Sequence, residues 1–319
     1  MANRLSILAP QSMRDKFKYT SFEQVFGFSP DVMEIISSRT KLDISACSEV
    51  MSAWRNPGPA WSQGEIELFS SFVSSQNDCI FWEFSHGAVA SRYLGEDVVY
   101  EAFEDWKKAR VRPKVKAVLG MLAKLTRQPL EFGAADMKGL LDAGISPRAI
   151  EQAVIGAAFV FNYQNRMADA LGADIPRDKL NRAGVMLNLM GQGKLENQTS
   201  EGEMPSLDGV MPAEVVAFFK SVCQGEGDSE ARLRKAIVDW GLWSLGLEGD
   251  DAAIPDTLVD YVDTVIRHAP DVTDENIEDL LSEGWSEAEI FEITVAASFS
   301  ASYGRVKIAW AALSVARGI

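Results

Sequence analysis

LLDAGISPRAIEQAVIGAAFVFNY, from Leu140 to Tyr163, returns as LLSEGWSEAEIFEITVAASFSASY from Leu280 to Tyr303. The two stretches align without a gap. Leu140/Leu280, Leu141/Leu281, Gly144/Gly284, Ser146/Ser286, Ile150/Ile290, Ala157/Ala297, Phe159/Phe299 and Tyr163/Tyr303 are identical. Each copy follows the same physical logic. A helix ends at glycine, the residue most at ease in a left-handed C-cap, and serine then caps a second helix that carries a stripe of small residues for close packing. A weaker match lies upstream, where RPKVKAVLGMLAKLTRQP (Arg112 to Pro129) faces IPDTLVDYVDTVIRHAP (Ile254 to Pro270). Duplication of one helical unit accounts for both matches.

The rest of the chain is consistent with helix. Ile66, Phe69, Phe72 and Val73, and again Val115, Val118, Leu119 and Leu122, recur at helical spacing, whereas strand-like alternation is almost absent. The expected fold class is all-α. QGKLENQTSEGEMPSLDG (Gln192 to Gly209) is poor in apolar residues and reads as a linker. The expected organisation is a first helical repeat over 1–191, a linker over 192–209 and a second, degenerate repeat over 210–319.

Forty-six acidic residues against 31 basic ones give a formal charge of -15, which repels phosphate backbones and anionic headgroups. Neither nucleic acid nor a membrane surface is an expected partner. The densest basic stretch, WKKARVRPKVK (Trp106 to Lys116), comes just after the acidic run EDVVYEAFED and reads as a solvated helix face. Cys47, Cys79 and Cys223 are odd in number and far apart, with no CxxC pair, so the expected setting is the reducing cytoplasm. The N-terminal patch LSILAP is too short for a signal-peptide core, and AVIGAAFVF (Ala153 to Phe161) is about half the ~20 residues needed to cross a bilayer.

Chemistry is concentrated in NDCIFWEFSHGAVA, Asn77 to Ala90. At about 100° per residue, Cys79, Trp82 and His86 share one helix face, with Cys79 and His86 ~10.5 Å apart along the axis. Asn77 is the expected N-cap, which puts Cys79 in the first turn, where the helix dipole favours a thiolate; Asp78 opposes it. Glu67 lies twelve residues before Cys79. The segment of the second half that corresponds, EARLRKAIVDWGLWSLGLEGD (Glu230 to Asp250), has neither cysteine nor histidine, so any thiol chemistry belongs to the first half. His268, ahead of Ala-Pro, reads as a helix C-terminal or surface residue. No metal site is expected from two distant histidines without HExxH, and no phosphate loop or other cofactor motif is present.

Glu67, Asn77, Cys79 and His86, with the small apolar run ending at Ala90, resemble the signature of the alkylhydroperoxidase D and carboxymuconolactone decarboxylase superfamily. That signature is a Glu, a CxxC twelve residues on, and a His four after the second Cys. The segment Leu140 to Gly172 is similar to the segment after the signature in the peroxidase-related branch. The resemblance covers about residues 25–175 and implies an alkylhydroperoxidase D-like helical fold in two tandem repeats. It also implies assembly as a homo-oligomer, a dimer or trimer. The second cysteine of the family's pair is Trp82 here. The leading functional expectation is a peroxidase-related oxidoreductase, a thiol-dependent reducer of peroxide or a hydroperoxide. In it Cys79 is the reactive thiol, His86 and Glu67 relay the proton, Trp82, Glu83 and Asn77 line the pocket, and an external thiol regenerates the site. The alternatives are a cofactor-free acid/base enzyme of the decarboxylase type using His86 with Glu67 or Glu83, and a non-catalytic relative that binds a ligand or serves structure.

Overall fold

The computed structural model of the chain describes residues 4–8, 40–56, 58–173, 206–247 and 253–319. Among these residues all regular structure is helical, and no helix is long and apolar enough to cross a membrane. The expected linker lies outside the described residues except for 206–209.

Two compact units emerge, and each draws on both halves of the sequence. The first comprises Met1–Ser48, Tyr163–Lys179 and Glu214–Gly304; the second comprises Glu49–Asn162, Leu180–Ala213 and Arg305–Ile319. The helices are α1 (Ser45–Trp54), α2 (Gln63–Gln76), α3 (Ile80–Leu94), α4 (Glu96–Asp105), α5 (Pro113–Arg127) and α6 (Ala134–Asp142). They continue with α7 (Pro147–Ala153), a π-helical segment (Val154–Phe159) and α8 (Val160–Ala170). Then come α9 (Ala213–Gln224), α10 (Ala231–Ser244), α11 (Asp256–His268), α12 (Asp274–Ser282) and α13 (Glu287–Arg317).

In the second unit α2 is the central element, buried from Gln63 to Ser74 and in contact with α3, α4, α5 and the π segment. Its start is fixed by a capping box between Ser62 and Glu65, and Arg112 grips the same Glu65 with two bonds of 2.7 Å. Gly64 allows α3 to come close, since a Cβ there would lie 2.5 Å from Cβ of Tyr93. The serines along α2 fold back onto its own backbone, Ser70 onto Ile66 O and Ser74 onto Ser70 O, so a buried polar stripe carries few unmet hydroxyls.

Leu140–Tyr163 and Leu280–Tyr303 form like elements. Each has a nine-residue helix, α6 and α12, ended by a left-handed glycine, Gly144 (φ 72°) and Gly284 (φ 96°). Ser146 then caps α7 through Ala149 N, and Ser286 forms a capping box with Glu289 ahead of α13. In the second unit Arg305 donates to Thr126 O near the end of α5; in the first, Arg166 donates to Ile266 O near the end of α11. The two stretches part at Val154, where the first is π-helical and the second stays regular within α13.

The first unit has an aromatic and ionic core of its own. Phe218 packs edge-on against Tyr163 and Phe299, while buried Arg234 pairs with buried Glu292 and donates to Val222 O at the end of α9.

The basic stretch departs from its expected form. Trp106 to Val111 is a turn and then a series of bends rather than a helix face. The chain reverses there so that the Trp106 indole covers Gly120 and Arg110 reaches back to Glu101 at 2.7 Å.

Candidate functional site: a buried arginine, glutamate and histidine cluster

Glu67 on α2 and His86 on α3 face each other inside the second unit, both 1% exposed, with His86 Nδ1 2.5 Å from Glu67 Oε2. Gln63, one turn before Glu67, donates to its Oε1 at 2.7 Å. Arg55, just after α1, completes the cluster: its Nη2 lies 3.2 Å from each Glu67 oxygen and from Ser70 Oγ, and 3.4 Å from His86 Nδ1.

Aromatic rings enclose these polar groups. The Trp82 indole stacks on the imidazole at 5.4 Å between centroids, and Phe161 meets it edge-on at 4.7 Å. Phe161 also sits under the Arg55 guanidinium at 5.0 Å. A cation and an anion so far from water are tolerable only as a well-bonded pair.

The charges reflect that enclosure. Burial by itself would push the Glu67 carboxyl up, but the charge of Arg55, the His86 contact and the Gln63 bond outweigh it and hold Glu67 below the ordinary range. Burial lowers His86, with Arg55 adding to the effect, against the upward pull of Glu67. The imidazole is therefore neutral near pH 7. An ionised Glu67 can only accept, so the proton belongs on Nδ1 and Nε2 is left as the basic nitrogen.

The other expected residues fall differently. Cys79 is the N-cap residue of α3, with no side-chain capping bond, and is fully buried. Asn77 is not its N-cap: it closes α2, with Nδ2 donating to Val73 O at 3.2 Å. The reason is local, since Asp78 turns into the left-handed region (φ 58°) and starts the new helix two residues later than the sequence suggests. Glu83 is partly buried on α3, where burial and the charge of Asp78 push its carboxyl up to about 7. His268 is the last residue of α11, with Nδ1 3.0 Å from Asp271. Among the described residues no group of three or more His, Cys, Asp or Glu could hold a metal ion.

No protein-family model matches the chain, and no curated protein does. The site therefore stands on its own geometry.

Arg55, Gln63 and Phe161 were not singled out by sequence reasoning. Gln63 had a signal, four residues before Glu67 on one helix face. Phe161 had another: the ungapped match replaces it with Ala301 in the half without the motif histidine. Arg55 had none, being a single arginine outside any periodic segment.

Proposed function

We propose that the chain is a duplicated helical relative of the alkylhydroperoxidase D and carboxymuconolactone decarboxylase superfamily, and that its first copy is a cofactor-free acid/base site. His86 Nε2 is the general base and Glu67 orients and balances it. The observation that carries this reading is the 2.5 Å contact between Nδ1 and the Glu67 carboxylate. A carboxylate on Nδ1 fixes the tautomer and stabilises the imidazolium that forms when Nε2 takes a proton. The substrate class is a small molecule with an acidic C–H beside a carbonyl. The base takes that proton, the C–H electron pair is left as an enolate, and the imidazolium returns a proton to either carbon or oxygen. Glu83, with its carboxyl near neutrality, is the second proton carrier on the same helix.

Support for the duplication comes from the helix starts. With the N-caps Cys79 of α3 and Glu230 of α10 aligned, His86 corresponds to Ile237 and Glu67 to Phe218, both fully buried. The second copy thus has an apolar pair where the first has its polar one, in keeping with a structural role. Assembly into a dimer or trimer is part of the proposal, and sedimentation at micromolar concentration tests it.

The thiol reading stands second. Cys79 is the N-cap of the helix that carries His86, and attack of its thiolate on a peroxide O–O bond would give a sulfenic acid that an external thiol reduces. Against it, the sulfur is fully buried and has no cysteine one turn on to resolve a sulfenic acid, that place being Trp82.

The test is a panel of small 3-oxo acids, ketones and lactones in D2O, monitored by NMR for loss of the acidic proton. The acid/base reading expects exchange that His86→Gln abolishes and Cys79→Ser leaves in place. Hydroperoxide consumption that Cys79→Ser abolishes, with no exchange on any compound, would replace it with the thiol reading.

A further inference from the structure

We propose that Arg55 is the positioning residue that sets the protonation of the Glu67 and His86 pair, and that Gly156 in the π-helical segment is what lets Arg55 reach it. The inference deepens the acid/base reading and rests on it.

The geometry has two parts. A single nitrogen, Arg55 Nη2, touches both oxygens of Glu67, the Ser70 hydroxyl and the edge of the imidazole at Nδ1. Guanidinium donates and never accepts, so its approach to Nδ1 gives the imidazole nothing when Nδ1 carries a proton for Glu67. What it adds is a positive charge that keeps Glu67 ionised and opposes a second proton on the ring. The triad with a neutral imidazole has no net charge; adding a proton would leave a net cation in an enclosure of Trp82 and Phe161.

The second part is delivery. A Cβ on Gly156 would stand 2.6 Å from the Trp54 carbonyl oxygen and 3.2 Å from its carbon, so only glycine lets the backbone before Arg55 lie against the helix. The same stretch of chain is pinned on either side. Arg148 stacks on the Trp54 ring at 3.9 Å, and Gln152 donates to Asn56 O at 2.7 Å. In the second copy the matching residue is Ala296, in a regular α-helix, and neither Glu67 nor His86 has a polar counterpart there. Glycine, π segment and buried arginine occur together on the side that holds the motif histidine.

The charged groups that reach His86 are Glu67 from α2 and Arg55 from the segment after α1. Helix α8 presents Phe161, and α4 meets α3 at Gly87 through Phe103 and Val99. Among the described residues Arg55 is thus the cation at the ring that a substitution can remove.

The experiment uses the full chain labelled with [15N]histidine. His268→Ala leaves His86 as the only signal, because the chain has two histidines. Ring nitrogen shifts are tracked against pH in this parent and in Arg55→Met, Arg55→Lys and Gly156→Ala. The parent is expected to hold a neutral ring with the proton on Nδ1 at pH 7. In Arg55→Met the proton affinity of the ring should rise at least about threefold, half a pH unit, Gly156→Ala should move it the same way, and Arg55→Lys should stay nearer the parent than Arg55→Met does. A parent ring that is cationic or protonated on Nε2 at pH 7 overturns the proposal, and needs no variant to fold. So does a smaller rise in Arg55→Met, or a lysine variant that moves as far as the methionine one. Because no substrate is needed, failure here is separate from failure of the exchange assay.

Discussion

Replacing Glu67 by glutamine removes one charge from the middle of the cluster and almost no volume. Glutamine can still accept one hydrogen bond, but Arg55, 7% exposed, is left without its counter-charge, and His86 loses an ionised acceptor. Breaking a buried pair from one side typically costs about 3–5 kcal/mol, because the remaining charge stays desolvated. A loss of about that size is expected, read as a lower urea midpoint at pH 7 with little change in slope. A second variant separates charge from packing. In Arg55→Met combined with Glu67→Gln no uncompensated charge remains, so the double variant should be less destabilised than the sum of the singles by about 1–3 kcal/mol. A Glu67→Gln protein within about 1 kcal/mol of the parent, or strictly additive singles, would mean that the pair is not a desolvated ion pair and would refute the reasoning.

Three further outcomes are expected from the same contacts. Burial holds His86 below its ordinary 6.5, so between 6.5 and its folded value the unfolded chain binds a proton that the native chain does not. The His86 contribution is then full above pH 6.5 and falls below it by up to about 1.4 kcal/mol per pH unit, while Glu83, raised to about 7, works in the opposite sense between its ordinary 4.5 and 7 and the depressed Glu67 adds to the loss only in the carboxylate range; the His86 part is therefore read as a difference, the parent losing stability relative to His86→Gln in urea midpoints as the pH falls below 6.5. With Cys47 and Cys223 replaced by serine, alkylation of fully buried Cys79 should run at least about 100-fold slower in the folded protein than in urea; a rate near that of the unfolded chain would return the thiol reading to first place. Trp82→Cys rebuilds the CxxC spacing but opens a cavity that costs about 3–5 kcal/mol; a folded variant is expected to form the Cys79 disulfide without dithiol-dependent peroxide turnover, and turnover lost again in Glu67→Gln would identify a decayed dithiol peroxidase.

What could be read from the sequence was local. Gly144 and Gly284, Ser146 and Ser286 act within a few residues of themselves, so their caps were legible and the helices formed where the pattern put them. Glu67 and His86 are picked out together by the family resemblance, and the structure puts their side chains 2.5 Å apart. The start of α3 was not legible, because Asn77 and Asp78 are both common cap residues and only the positive φ of Asp78 decides that Cys79 takes the place. Arg55 could not be found at all. Its role depends on a carbonyl packed against Gly156, about a hundred residues away in the sequence, and on a π segment that no helical period announces. The basic run after Trp106 is not a helix face because α4 ends at Asp105, whose carbonyl and carboxylate take the N–H groups of Lys108 and Lys107, and Pro113 opens α5.

The most direct measurement for an acid/base site in so closed a cluster is acylation of its imidazole by diethyl pyrocarbonate, which attacks a neutral ring nitrogen. His268 is 43% exposed and serves as the internal reference, while His86 is 1% exposed. Modified peptides are quantified by mass spectrometry in native buffer and in urea. A working site admits small molecules to Nε2, so His86 is expected to be modified in the native protein, more slowly than His268, at a rate that small 3-oxo acids reduce. Modification of His86 only when the chain unfolds, in step with the loss of helix, would contradict the account and leave the cluster a buried structural ion pair.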